Sequence, residues 1–393
     1  MPESSSPRAR IRDVLPNLPL GRWSPGPLNS ITDVPGVLVS TKNVHAEADG
    51  YTNTGVTAIL PRKDWAKYSS FAGVFSFNGA GELTGSHWIN ETGLLTTPIV
   101  LTGTMSMGDA FRGVVEYCYK YHVNEDGEMG LFVFACVGET YDGFLNDPGR
   151  FAVAPQHVID AILSASADRV PEGNTGGGTG MICHRYKGGT GSSSRVIQGF
   201  DVEGNSKTYT VGVLVQSNYG SAENLHIGGI PVGEILKAQQ TSAETNTQQN
   251  VHGAEPRKDG SIIIIVATDV PLLPIQLQRL AKRATVGLGK VGGYGNNTSG
   301  DIFLAFSTAN KVPFGEISMS GPRPSDPYKP KAQTVEMSDN DTINSVFEAV
   351  ADATEEAIYN SMFMAETMVG FKDRKVPALD LNAVKNIVNK RLI

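Results

Sequence analysis

The chain has 393 residues, a formal net charge of −7 and 40% apolar residues, enough for a sizeable core and for one large α/β unit or two closely packed halves. It carries no lysine- and arginine-rich run, which argues against a nucleic-acid partner. No stretch approaches the ~18 apolar residues a membrane span needs, and the first residues lack the apolar run of a signal peptide, so the sequence predicts a cytoplasmic protein. Cys118, Cys136 and Cys183 lack metal-site spacing and fit buried, reduced thiols.

Residues 1–30, rich in Pro, Ser and Arg, read as an extended arm ahead of the folded part. Short strands are expected at 31–41, 55–61 and 71–77. The stretch 78–97, NGAGELTGSHWINETGLLTT, has the Gly, Ser, Thr and Asn content of a long ordered loop. A strand at 98–103 precedes a helix over 107–123, where Ala110, Val114, Cys118 and Tyr121 recur at helical spacing. LFVFACVGE, 131–139, reads as a buried strand, 154–166 as a short helix and GNTGGGTG, 173–180, as a glycine-rich loop. Strands follow at 194–200 and 208–217. The tract 238–260 is polar and aperiodic and reads as exposed. After it come a strand at 261–267, a helix at 271–287, a glycine-rich turn, a strand at 301–307 and a long helix at 341–368. Grouped strands with two long helices predict layered α/β sheets with helices outside.

Several familiar chemistries are unsupported. GLGKVGG, 287–293, matches a dinucleotide fingerprint by letter, but it follows a helix and opens none. No glycine loop ends in G-K-[ST], no H-E-x-x-H is present, and no G-x-S-x-G elbow exists, so neither a P-loop, a zincin nor an elbow serine is indicated and the expectation is no metal and no cofactor.

One seam stands out. In RKDGSIIIIVATD, 257–269, a polar run ends at Gly260 and Ser261 opens a strongly apolar strand. If the Gly260–Ser261 bond is cut, Ser261 gains a free α-amine with a pKa of about 7.7–8.0, a base beside its own nucleophilic hydroxyl. The hydroxyl would first attack the Gly260 carbonyl, turning amide into ester, and water would release the acyl half. Glycine leaves that carbonyl unshielded. A simple turn before a strand is the preferred reading of these residues taken alone. Further on, in NNTSGDIFLAF, Ser299 and Asp301 stand two apart at a strand entrance and share a face, opposite Ile302, Leu304 and Phe306. A carboxylate there orients a hydroxyl; an Asx/Ser turn explains the pair equally well.

These two segments together resemble the self-processing serine aminopeptidases of the DmpA type, which include the L-aminopeptidase/D-amidase-esterases and the β-peptidyl aminopeptidases. The resemblance continues in order through ITDVPGV, GVTAILPR, FSFNGAGELTGSHWINETGLL, VGETYDGFLND, EGNTGGGTGMICH, VGVLVQSNYG and ATEEAIYNSM. It implies a four-layer αββα sandwich like that of the N-terminal-nucleophile hydrolases, with 31–393 as a single domain cut into an α chain of 1–260 and a β chain of 261–393. It implies Ser261 as nucleophile, Gly260–Ser261 as the cleaved bond and Ser299 as its supporting serine. Asp301 takes the place where a glutamate is expected, one methylene shorter. Asn218 corresponds to the oxyanion-binding asparagine, Tyr141 to a tyrosine lining the site and Glu139 to the carboxylate that receives the substrate amine. Without the resemblance, Asn218 reads as a turn residue and Glu139 as a solvated strand-end charge. The implied activity is removal of the N-terminal residue from short peptides, amides or esters through an acyl-enzyme, without a cofactor, by a homo-oligomer of αβ units. Two alternatives stand beside it: an acyltransferase of the ornithine-acetyltransferase type, whose nucleophile is a threonine, and an uncleaved, non-catalytic binding protein.

Overall fold

The structure, a computed structural model, describes residues 7–45, 50–125, 127–244, 260–313 and 326–392. In the first half the strands are β1 (Leu38–His45), β2 (Asn53–Leu60), β3 (Tyr68–Gly79), β4 (Leu94–Leu95), β5 (Ile99–Gly103) and β6 (Cys136–Thr140). The second half adds β7 (Ile182–Cys183), β8 (Tyr186–Lys187), β9 (Gly189–Phe200), β10 (Ser206–Asn218), β11 (Ser261–Thr268) and β12 (Gly300–Pro313). The helices are α1 (Ile11–Val14), α2 (Ser86–Thr92), α3 (Met107–Tyr121), α4 (Pro155–Ser164), α5 (Val232–Glu244), α6 (Pro274–Val291), α7 (Asn344–Phe363) and α8 (Leu381–Asn389).

Two sheets carry the fold, one in the order β1-β2-β5-β6 and one in the order β4-β3-β12-β11-β10-β9. The run of isoleucines in β11 explains how they stack. Ile262, Ile264 and Val266 pack with Leu277, Leu280 and Ala284 of α6 and with Val346 and Val350 of α7. Ile263, Ile265 and Ala267 face the other way and meet Ile59, Ile99 and Leu101 of the smaller sheet. A central strand buried on both faces needs a continuous apolar run rather than an alternating one. On the far side of the smaller sheet, Val56, Ala58, Val100 and Val137 pack against Ala110, Val114 and Cys118 of α3 and Val158 and Ile162 of α4. The order is therefore helix, sheet, sheet, helix, the expected αββα sandwich.

The arm is fastened rather than peripheral. Among its described residues, Ile11, Leu15, Leu18 and Leu20 are buried in the helix-side core. Arg10 pairs with Glu172 at 2.7 Å and Arg12 with Glu356 at 2.8 Å, and the buried Arg195 meets the same Glu356 at 2.8 Å.

Several sequence expectations need correction. The stretch 78–97 contains α2, not one long loop: Gly85 and Gly93, at φ of 76° and 73°, are its two end caps. Residues 31–33 form a 3-10 turn, and β1 starts only at Leu38. Of the expected strand at 131–139 only Cys136–Glu139 lies in β6; Phe132 and Phe134 instead lie half-exposed around Trp88. The polar tract at 238–260 begins inside α5, and its residues 245–259 lie outside the described residues. The GLGKVGG segment is the end of α6, where a Cβ on Gly287 would sit 2.4 Å from the Ala351 carbonyl oxygen of α7. Glycine there permits close helix packing and has no phosphate-binding geometry.

Candidate active site

The site forms where register brings together residues distant in sequence. Antiparallel pairing of β10 with β11 sets Asn218 opposite Ser261. Parallel pairing of β11 with β12 sets Ile262 opposite Asp301. Along β11, Ser261 shares its face with Ile263 and Ile265, so its hydroxyl points into the space between the sheets at their open end. From the smaller sheet, the end of β6 supplies Glu139 and leads into Tyr141. Gln216 ties the layers there, donating to the Thr102 carbonyl at 2.9 Å and the Thr140 hydroxyl at 2.8 Å.

Ser261 is 8% exposed, and its Oγ accepts the Gly300 N–H at 3.0 Å. That N–H reaches the hydroxyl because β12 begins with a glycine pressed on another loop: a Cβ on Gly300 would lie 2.5 Å from the Gly81 Cα. A Cβ on Gly81 would lie 3.2 Å from Glu139 Oε1, which brings that carboxylate to the same corner of the site. On the other side of the scissile position, Gly260 lies against the end of β10, and a Cβ there would fall 1.8 Å from the Asn218 carbonyl oxygen.

The Ser299 hydroxyl donates to Asp301 Oδ1 at 2.6 Å. The one-methylene difference from glutamate therefore does not prevent the contact. Asp301 is buried, which pushes its carboxyl up to about 6, while the Ser299 hydroxyl and the Ile262 N–H oppose the rise. With Phe303 and Ala305 on the helix side of β12, Asp301 approaches from that side, where a small cavity is bordered by Gly260, Ser299, Asp301, Tyr219 and Tyr294.

Asn218 is the last residue of β10, not a turn residue after it. Its Oδ1 accepts the Ile182 N–H at 2.8 Å, and its Nδ2 donates to the Tyr141 carbonyl at 2.9 Å. These two contacts fix which end of the amide is the donor, and an amide nitrogen has a second hydrogen to offer. Tyr141 is half-exposed, its ring lying over Gly143, where a Cβ would fall 2.3 Å from the phenol oxygen.

Glu139 is not a solvated strand-end charge. It is 5% exposed, accepts the Glu82 N–H at 3.0 Å and accepts the Thr104 hydroxyl. Burial raises its pKa, the Thr104 and Glu82 donors hold it down, and the Glu82 charge pushes it up. Among the described residues no lysine or arginine pairs with it. A buried carboxylate in that condition favours an incoming cation.

Sequence reading missed two participants. Asp142, next to Tyr141 in GETYDG, is a second buried carboxyl, pushed up to about 6 by burial and further by the Glu139 charge. Gly300, inside the TSGD segment, supplies the N–H at the Ser261 hydroxyl. The acidic residue following Tyr141 was a usable signal for the first; nothing in the sequence announces a backbone donor.

This fold is the α/β N-terminal-nucleophile-hydrolase-like sandwich shared with the DmpA and ornithine-acetyltransferase structures. Residues 29–376 match the model of Peptidase family S58. The chain is 42% identical over 377 residues to a β-peptidyl aminopeptidase, BapA, of Sphingosinicella microcystinivorans, covering 92% of this chain and 88% of that one. It superposes on a β-aminopeptidase of a Burkholderia species with a TM-score of 0.81 at 39% identity, covering 97% of this chain and 99% of that one. For the L-aminopeptidase D-Ala-esterase/amidase of Ochrobactrum anthropi the TM-score is 0.79 at 38% identity, with coverage of 97% and 98%.

The chain belongs to peptidase family S58, the DmpA/BapA-type self-processing serine aminopeptidases. It is a self-cleaving serine aminopeptidase/amidase, a hydrolase of the family that acts on peptides, amides or esters.

Proposed function

We propose that the chain cuts itself between Gly260 and Ser261 and that the new N-terminal Ser261 is the nucleophile. The observation that carries this reading is the position of Ser261 Oγ, 3.0 Å from the Gly300 N–H, with Gly260 wedged against Asn218. In self-cleavage Ser261 Oγ attacks the Gly260 carbonyl carbon. Its proton passes to the departing amide nitrogen, which becomes the Ser261 amine. Water then hydrolyses the ester, leaving a Gly260 carboxylate and restoring the hydroxyl.

In the mature enzyme the Ser261 amine takes the hydroxyl proton as Oγ attacks the substrate carbonyl. Ser299, held by Asp301, is left with lone pairs that accept from the amine and orient it. Asn218 Nδ2 and the Gly300 N–H receive the developing oxyanion, and Tyr141 lines the acyl side. The amine passes its proton to the leaving group, and water releases the acyl residue from Ser261. Glu139, with Asp142 behind it, binds the substrate ammonium and so selects free N-termini.

The named relatives support β-amino N-terminal residues as substrates alongside α-amino ones. Initial rates on the p-nitroanilides of β-alanine, L-alanine and D-alanine decide this; no turnover of the first removes it. The α chain 1–260 and the β chain 261–393 stay together through the β10–β11 ladder. Assembly of αβ units into a homo-oligomer and a cytoplasmic location belong to the same reading, tested by light scattering and cell fractionation.

Two outcomes follow from the carboxylates. Glu139→Gln keeps the shape and an acceptor for the Glu82 N–H, lets the Thr104 hydroxyl turn to accept from the amide, and removes the charge; it is expected to raise KM about 10–100-fold with a smaller change in kcat. An unchanged KM on amino-terminal substrates counts against the assignment. The Asp301 carboxyl accepts most strongly from Ser299 when ionised, and its pKa is raised to about 6. Protonation removes the charge and weakens that bond as pH falls, so self-cleavage of the precursor, measured before any free amine exists, slows as pH drops through about 6. Asp301→Asn slows the reaction and abolishes that limb. A limb that persists in the variant assigns it to another group.

A further inference from the structure

Lys187 has no role in the chemistry above. It lies in β8, is fully buried, and pairs with no carboxylate among the described residues. Its Nζ donates to the backbone carbonyls of Met181 at 2.8 Å, Gly188 at 2.8 Å and Gly178 at 3.4 Å. The nearby Cys183 thiol is pushed up to about 12 by burial and so offers no charge. Burying an ammonium without a counter-ion is costly. Burial draws Lys187 itself down to about 7, yet three acceptors match the three protons of the charged form, whereas a neutral amine would turn a lone pair on one of them. If those carbonyls needed only a donor, a neutral side chain would serve.

The Met181 carbonyl and the Ile182 N–H belong to one peptide group. Lys187 donates to its oxygen at 2.8 Å, and its nitrogen donates to Asn218 Oδ1 at 2.8 Å. Asn218 Nδ2 stands at the far end, on the residue paired with Ser261 across the β10–β11 ladder. We propose that Lys187 is a positioning residue that polarises Asn218 through the Met181–Ile182 peptide and so strengthens the Nδ2 donor at the oxyanion. Each hydrogen bond in such a chain draws electrons from the next, and a cation at its head deepens the effect. The direction is right throughout: ammonium to carbonyl, N–H to amide oxygen, amide N–H to the oxygen that gains charge. The effect grows as the oxyanion forms, so it acts on kcat more than on KM. This inference rests on the proposed oxyanion role of Asn218.

The test is a double-mutant cycle of Lys187→Met and Asn218→Ala, reading kcat and KM per processed chain. Lys187→Gln, which keeps an N–H for the carbonyls without the charge, is the second variant should the first not fold. The expected results are a loss of about 100–1000-fold in kcat for Asn218→Ala, about tenfold for either Lys187 variant with KM within about twofold, and no further loss when a Lys187 variant is added to Asn218→Ala. If the Lys187 loss is the same in both backgrounds, or falls on KM alone, the relay is wrong while the Asn218 assignment stands. If Asn218→Ala keeps kcat within about threefold of wild type, the oxyanion assignment itself fails and takes the relay with it.

Discussion

Ser261→Ala is expected to remain a single chain of 41.9 kDa, where the wild type yields fragments of about 28 and 14 kDa in proportion to chain length. Its hydrolytic activity is expected to fall by about five to six orders of magnitude, the scale on which loss of a nucleophile reads. The fold should survive, because the substitution removes one oxygen that among the described residues accepts a single hydrogen bond, from the Gly300 N–H. Loss of cleavage with retained fold separates a chemical role from a structural one. A variant that still splits at the same bond removes Ser261 from the self-cleavage step.

Gly260→Ala is the second large effect. The added methyl group would sit 1.8 Å from the Asn218 carbonyl oxygen and 2.9 Å from the Tyr219 Cα. Both obstacles are backbone, at the last residue of β10 and the residue after it, so the Gly260 carbonyl must move instead, by about 1 Å or more. A displacement of that size at a reacting centre costs about 100-fold. Self-cleavage should therefore slow by about that factor, read as the rate at which the precursor band disappears. Chains that do mature should show normal kcat, since residue 260 is then the end of the α chain and is not a reactant. Equal slowing of cleavage and of turnover by mature enzyme would contradict the wedge as the cause.

What was legible in the sequence follows from physical pattern. The apolar runs of β11 and β12 were read correctly because strands buried on both faces have few other sequences available to them. Ser299 and Asp301 were placed together by side-chain alternation, and they do meet. The helix α2 was missed because Gly85 and Gly93 weighed against a helix, whereas both lie at its ends in left-handed conformation. The 131–135 run misled in the other direction: apolar content suggested a strand, but Phe132 and Phe134 spend it on Trp88. The site itself is long-range. Asn218, Ser261 and Asp301 meet through strand register, and Glu139 reaches them from the other sheet, so only family resemblance pointed to their convergence. Burial of Glu139 also lay beyond sequence, since the Thr104 and Glu82 donors that satisfy it come from other segments.

The most direct test of the central claim is intact mass of the purified protein, taken before and after an acid quench during turnover of an amino-acid ester. The prediction is two chains, the smaller beginning at Ser261, and an added acyl mass on that smaller chain alone, absent from Ser261→Ala. A single uncut chain with full activity, a break at another bond, or an acyl mass on the 1–260 chain would contradict it.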